Sequence, residues 1–212
     1  MTIKGEKRRI KLQADVNIDK LIPRITATLN KLLAKTDFDS LTVKDIAKEA
    51  GFSRQYFYRA FSDKYALAVE IFAYDMKRGI EDQFTPRLCH QKTLEYIMRN
   101  SRIYKSIFQS SYSSYLFDVM FNSGMEFVRA MVDYMSVSAF TKEQDNRLRL
   151  YFLGVTSMLV KSLTGGEHFT KDELDKIFYE NVPPFLEFLK EATVTKEYIL
   201  HKIAKYRDEH IV

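Results

Sequence analysis

The sequence predicts an all-α protein in two parts, a small N-terminal helix-turn-helix domain followed by a larger helical domain. Three observations carry this. Turn formers are scarce, with seven glycines and four prolines in 212 residues, where average usage would supply roughly 25. Sandwiches and barrels reverse the chain too often for that composition. Apolar residues recur at helical spacing along most of the chain. Hydroxyl and Asp/Asn side chains stand just ahead of those stripes, where helix N-termini need an acceptor.

Taken in order, residues 1–18 read as a basic arm, with Lys4, Lys7, Arg8, Arg9 and Lys11. Ile22, Ile25, Leu29, Leu32 and Leu33 then make one stripe of a first helix. Asn17 or Asp19 can cap it, Pro23 sits in its first turn where a missing N–H costs little, and it should end near Thr36-Asp37. Thr42 and Asp45 form a capping-box pair ahead of Val43, Ile46, Ala47 and Ala50. Gly51 supplies the positive φ of a helix C-terminus. Ser53 caps a third helix, Arg54-Gln55-Tyr56-Phe57-Tyr58, that runs to about Ala60. Two short helices about three residues apart around a glycine make a helix-turn-helix, here within a three-helix, homeodomain-like unit. A fourth helix, capped by Ser62 or Asp63, carries Leu67, Val69, Phe72, Ala73, Met76 and Ile80 inward. Thr85-Pro86 breaks the pattern and divides residues 19–84 from a second domain, 86–212.

In that second domain residues 93–108 form one helix or two. Residues 112–135 form a long helix with Gly124 as the point for a kink. Residues 142–163 follow, ended by Gly165-Gly166. Residues 171–181 are stopped or bent by Pro183-Pro184, which starts another turn through Lys190. A tail helix capped by Thr195 carries Ile199, Ile203, Tyr206 and His210 at helical spacing.

The charge is unevenly spread. Residues 1–64 hold 14 basic against 8 acidic side chains, whereas the rest hold 19 against 20. An excess confined to one end suggests an anionic partner there, nucleic acid or a membrane surface. The single cysteine, Cys89, excludes an intramolecular disulfide and fits a reducing cytoplasm. The best apolar stretch, residues 150–160, is interrupted by Gly154, Thr156 and Ser157 and falls short of the roughly 20 residues a bilayer needs. No apolar run of signal-peptide kind follows the N-terminus. A cytoplasmic protein without a membrane partner is expected.

Residues 42–67 read TVKDIAKEAGFSRQYFYRAFSDKYAL. This segment resembles the DNA-binding motif of the TetR/AcrR family of bacterial transcription regulators. The matching positions are Thr42, Ile46, Ala47, Ala50, Gly51, Ser53, Tyr58, Phe61, Lys64 and Leu67, with Phe57 in the usual leucine place. The residues themselves suit that role. The N-terminal side chains of a recognition helix, here Arg54, Gln55 and Tyr56, lie near base edges in the major groove. Arginine can bind guanine, and glutamine adenine, through two hydrogen bonds. Thr42 and Lys64 stand at helix N-termini, which suit phosphate. Ser53 is a cap with a phosphate contact alongside. Tyr58 contacts the DNA backbone by resemblance, or packs between helices. Gln55 and Tyr56 are bulkier than the family's usual residues, and Ala60 replaces a common histidine, so a borrowed operator sequence would not transfer.

The resemblance implies a transcriptional regulator, a repressor bound as a homodimer to a pseudo-palindromic operator in double-stranded DNA and released by a small molecule. It also implies that the second domain senses the ligand and dimerises. Tyr96, Phe108, Tyr112, Tyr115, Phe121 and Tyr151 are the candidate contacts to a hydrophobic or aromatic effector, against the alternative of ordinary core. Leu148, Phe152, Val155, Leu159 and Leu163, with Phe178 and Phe185, are the candidate dimer surface, unless they face the chain's own core. A different class of function is a helical regulator controlled by a protein partner, or an interaction module that does not bind DNA.

No catalytic chemistry emerges from the motifs. His90, His168, His201 and His210 lack metal-ligand spacing. Cys89 and His90 are adjacent, so their side chains diverge. Nucleophile elbow, phosphate loop and dinucleotide fingerprint are all missing. The expectation is a protein that is not an enzyme and needs no cofactor or metal.

Overall fold

Side-chain caps set where most of the helices begin. The computed structural model describes residues 17–80, 83–135, 138–190 and 192–202; most of the basic arm, and Ile203, Tyr206 and His210 of the tail, lie outside the described residues. Helix α1, Ile18–Leu32, starts where Asn17 accepts from the Lys20 N–H at 3.0 Å. It buries Leu21, Ile22, Ile25 and Leu29. Starting at Ile18 puts Pro23 in the second turn rather than the first. Pro23 is exposed there, so water can serve the Asp19 carbonyl that its ring leaves without a donor. The helix ends at Leu32, short of the expected Thr36-Asp37.

Helix α2, Val43–Ala50, opens on the Thr42–Asp45 capping box and closes on Gly51 at φ +71°. Helix α3, Arg54–Ala60, is capped by Ser53. Helix α4, Lys64–Gly79, is capped by Asp63 rather than Ser62, through the N–H groups of Tyr65 and Ala66.

Pro86 ends one helix and starts another. Thr85 accepts from the Leu88 N–H, and Pro86 takes the first position of α5, Pro86–Arg99, where its fixed φ suits the helix and its missing N–H has no partner to lose. The helix expected over residues 93–108 therefore begins earlier and is two, since α6, Ser101–Phe108, restarts at Asn100. Helix α7, Ser113–Tyr134, runs unbroken through Gly124. That glycine serves close packing, not a kink: a Cβ there would lie 2.4 Å from the Phe152 ring. Helix α8, Lys142–Thr164, and helix α9, Lys171–Glu180, each open on a capping box, and Gly165 closes α8 at φ +88°. A 3-10 turn spans Pro184–Leu189. Strand β1, Gln83–Phe84, then pairs antiparallel with β2, Val194–Thr195, ahead of a last helix beginning at residue 196. This short pairing has no alternating pattern to announce it.

One hydrophobic core runs from the helix-turn-helix into the body. Ile25, Leu29, Ile46, Phe57, Phe61 and Leu67 are continuous with Ile103, Tyr104, Leu116 and Leu174. A second core gathers Phe84, Met131, Leu148, Leu186, Val194 and Ile199 at the far end. Polar links cross the join. The Phe38 N–H donates to Ser106 Oγ at 3.0 Å, and Ser111 donates from its N–H and its hydroxyl to Asp39, each at 2.9 Å. Buried Asp75 of α4 accepts from Asn100 at 3.0 Å and from the Tyr104 hydroxyl at 2.9 Å. Burial still pushes its carboxyl above the usual range, outweighing those two hydrogen bonds. Among the described residues no helix is long and apolar enough to cross a membrane.

Candidate functional site

The turn between α2 and α3 is built by three local constraints. Gly51 holds a left-handed backbone, and a Cβ there would meet Arg24 Nη2 at 2.9 Å. Arg24 in turn donates to the Gly51 carbonyl at 3.3 Å, tying the turn to α1. Ser53 Oγ accepts from the Tyr56 N–H at 3.1 Å and starts α3 two residues after the glycine. Phe57 and Ala60 anchor the inner side of α3, with the Phe57 ring 5.2 Å from that of Phe61.

The outer side of α3 is bare. Arg54 and Gln55 are exposed and make no hydrogen bond or ion pair with another described residue, and the same holds for Arg59 one face along. Tyr58 is 55% exposed. Tyr56 is half-buried against Phe52, ring centres 5.6 Å apart, so part of its ring serves the turn. Ser53 keeps its hydroxyl proton free for a phosphate oxygen, because it acts as an acceptor in its cap.

Two expected phosphate contacts are different. The Thr42 hydroxyl spends its only proton on the Asp45 carboxylate while accepting from the Asp45 N–H. A phosphate oxygen offers only acceptors, so with this bond in place Thr42 serves as a cap and has no second proton to donate. The Lys64 ammonium donates to the carbonyls of Phe38, Asp39 and Leu41 at 2.8, 2.7 and 2.9 Å. An ammonium has three N–H groups, and all three hold the loop before α2. Lys64 is a structural strut.

A cavity of about 210 Å³ lies in the body among α4, α5, α7, α8, α9 and the 3-10 turn. Phe72, Met76, Ile97, Met120, Val155 and Leu159 are typical of its wall. One end is polar, with Arg87, His90, Tyr179 and Lys190. The Arg87 guanidinium and the Lys190 ammonium lie 4.1 and 4.6 Å from the centre of the Tyr179 ring. Behind this end Asp175 accepts from Gln91 at 2.7 Å, with His90 Nδ1 at 3.4 Å and Arg87 at 4.0 Å. His90 foremost, then Gln91, holds the Asp175 carboxyl below its usual range against the pull of burial. A cavity of roughly 150 Å³ suffices for benzene, so this one can admit a small organic molecule.

Residues 25–71 match the model for bacterial regulatory proteins of the tetR family. Residues 25–71 are thus similar to the DNA-binding domain of the TetR family. This domain supports a DNA-binding transcription regulator, and the exposed side of α3 lies within the matched segment. Among solved structures, the dihydroxyacetone kinase operon activator DhaS is similar at a TM-score of 0.56 and 18% identity, over 79% of this chain and 93% of that one. That likeness is one of fold, and it extends through the helical body. No curated protein matches the chain in sequence.

In the helical body the expected effector contacts mostly lie away from the cavity. Of the six, Tyr151 alone lines the cavity. Its hydroxyl donates to the Phe178 carbonyl at 2.9 Å, and burial raises its pKa. Tyr96 lies under Arg78, whose guanidinium is 4.0 Å from the ring centre. Phe108 belongs to the first core and Phe121 packs on the second. Tyr112 stacks on Tyr65 at 4.5 Å and meets Tyr115 at 4.8 Å, beside the DNA-binding end. Aromatic content alone does not say which face of a helix is hollow.

The expected dimer stripe also turns inward. Leu148, Leu159, Leu163 and Phe178 are core, Phe152 and Val155 line the cavity, and Phe185 packs edge-on to Phe140 at 5.5 Å. The apolar side chains that α8 presents outward are Leu150, 71% exposed, and Leu153, 44% exposed, beside Gly154 with open space around it. The sequence reading missed them because the inward stripe is stronger. Arg87 and Lys190, which line the cavity, give no periodic signal as lone cations.

Proposed function

We propose that the protein is a homodimeric repressor that leaves a pseudo-palindromic operator when a small molecule occupies the cavity. One observation carries the reading: the cavity wall and the helix-turn-helix share α4. Phe72 and Met76 of that helix line the cavity. At its other end Lys64 holds the carbonyls of the loop that precedes α2. A molecule pressing on the wall shifts α4, and with it the spacing of the two recognition helices in the dimer. Half-sites are read one helical turn apart, about 34–36 Å, so a small change in spacing costs affinity.

Arg54 and Gln55 read bases, while Ser53 and Tyr58 contact phosphates, in this account. Leu150, Leu153 and Gly154 form part of the contact between copies, since an exposed apolar face of this kind is otherwise costly to leave in water. The test is selection of bound fragments from random DNA, followed by titration of the complex with small molecules. Two inverted half-sites about ten base pairs apart are expected. Failure to enrich a palindrome at moderate salt would favour a helical module governed by a protein partner. A second reading, activation, is favoured by the likeness to DhaS, an operon activator. Under it, occupancy strengthens operator binding instead of weakening it.

A further inference from the structure

The polar end of the cavity specifies a ligand class, on the reading that the cavity is the effector site. Among the described residues that line it there is no aspartate, glutamate, asparagine or glutamine. The charged side chains that do are Arg87 and Lys190. Their counter-charges, Asp175 and Glu187, balance them in the free protein, yet neither lines the cavity. Arg87 is loosely held, because its partner Asp175 is 4.0 Å away and already accepts from Gln91 at 2.7 Å. Lys190 pairs with Glu187 at 2.8 Å, while its own side chain is only 18% exposed. The two cations converge on one face-forming residue, Tyr179, within 5 Å of its ring centre.

An otherwise apolar wall that ends in two cations, with the carboxylates kept behind them, suits a molecule of matching polarity. We propose that the cavity takes an amphipathic acid of about eight carbons in all, its apolar chain against Phe72, Met76, Met120 and Leu159 and its carboxylate at Arg87 and Lys190. The size follows from the 210 Å³ available, by proportion to benzene in roughly 150 Å³. The head follows from charge: an arginine can grip a carboxylate through two N–H groups, and a charge-assisted hydrogen bond in a partly dry site is stronger than a neutral one. A neutral head forgoes that gain, and a cationic head meets like charge.

Calorimetry with octanoate, 1-octanol and octylammonium on the full-length protein tests this. Octanoate should bind about tenfold tighter than octanol, and octylammonium weakest of the three. Arg87→Gln and Lys190→Gln should each lower octanoate affinity by roughly tenfold and leave octanol within about twofold. Glu187→Gln, which removes the counter-charge of Lys190 without touching the wall, should raise the preference for octanoate over octanol. It keeps the test decisive if a cavity-wall variant misfolds. Octanol binding as well as octanoate, octylammonium binding best, or equal losses of both ligands in Arg87→Gln would overturn the acid-head assignment and leave the cavity as an effector site. Binding of none of the three would overturn the effector site as well.

Discussion

The helix-turn-helix and the hollow body use their polar side chains in opposite ways. Around the turn, hydroxyls, a guanidinium and an ammonium are spent on backbone groups: Thr42 and Ser53 cap, Arg24 holds Gly51, and Lys64 takes three carbonyls. What remains unspent, Arg54 and Gln55, is the surface proposed to meet DNA. In the body, the two cations Arg87 and Lys190 gather at Tyr179 beside an otherwise mostly apolar cavity, and the unspent quantity is volume. The proposed functions need these different arrangements, because base readout depends on fixed geometry and ligand binding depends on a site that an occupant can fill.

The contrast can be broken in the body first. If the cavity wall is closed in the resting protein, Cys89 should be nearly inert. Burial pushes its thiol up from 9.0 to about 12, outweighing an opposing Thr93 hydrogen bond. The thiolate is the reactive form, so at pH 8 alkylation should be about 10³-fold slower than in the unfolded chain. Labelling at the unfolded rate would mean that the wall opens freely. The next effect belongs to the reader. Lys64→Met should cost about 3 kcal/mol of stability, read as a lowered melting temperature, since three carbonyls lose a charged donor. The salt dependence of DNA binding should not change. A salt slope reduced by about one would restore Lys64 as a phosphate contact. The smallest effect is Thr42→Ala, about 1 kcal/mol of stability through the lost cap, with operator affinity of the folded protein unaltered. An equal fractional loss on operator and random DNA would contradict the assignment of Thr42 as a cap alone.

The difference between the regions also explains what the sequence made legible. The helix-turn-helix rests on neighbours in the chain: a hydroxyl three residues from a carboxylate, a glycine at the turn, a serine before an arginine. Such signals survive in one dimension, so Thr42, Gly51 and Ser53 could be assigned from their order. The body rests on which of two helix faces meets a distant partner. Leu148, Phe152, Val155 and Leu159 announce an apolar stripe on α8, but nothing local says whether it faces a second copy or Met120 and Phe72. Gly124 looked like a kink because the ring that needs its empty space, Phe152, is on another helix. Pro86 looked like a break because a helix stop and a helix start use the same residue. Even near the turn, long-range geometry decided one case: Lys64 fits a phosphate-binding pattern until the loop 26 residues before it folds back onto its ammonium.

The central claim is that α3 reads bases through side chains the fold leaves unpaired. It is tested most directly by measuring wild-type and Arg54→Ala affinities, at one salt concentration, on the selected operator and on random DNA of equal length. A lost bidentate contact of about 1–3 kcal/mol predicts roughly a 5- to 150-fold loss on the operator and almost none on random DNA. The same fractional loss on both would make Arg54 a phosphate contact and contradict the account.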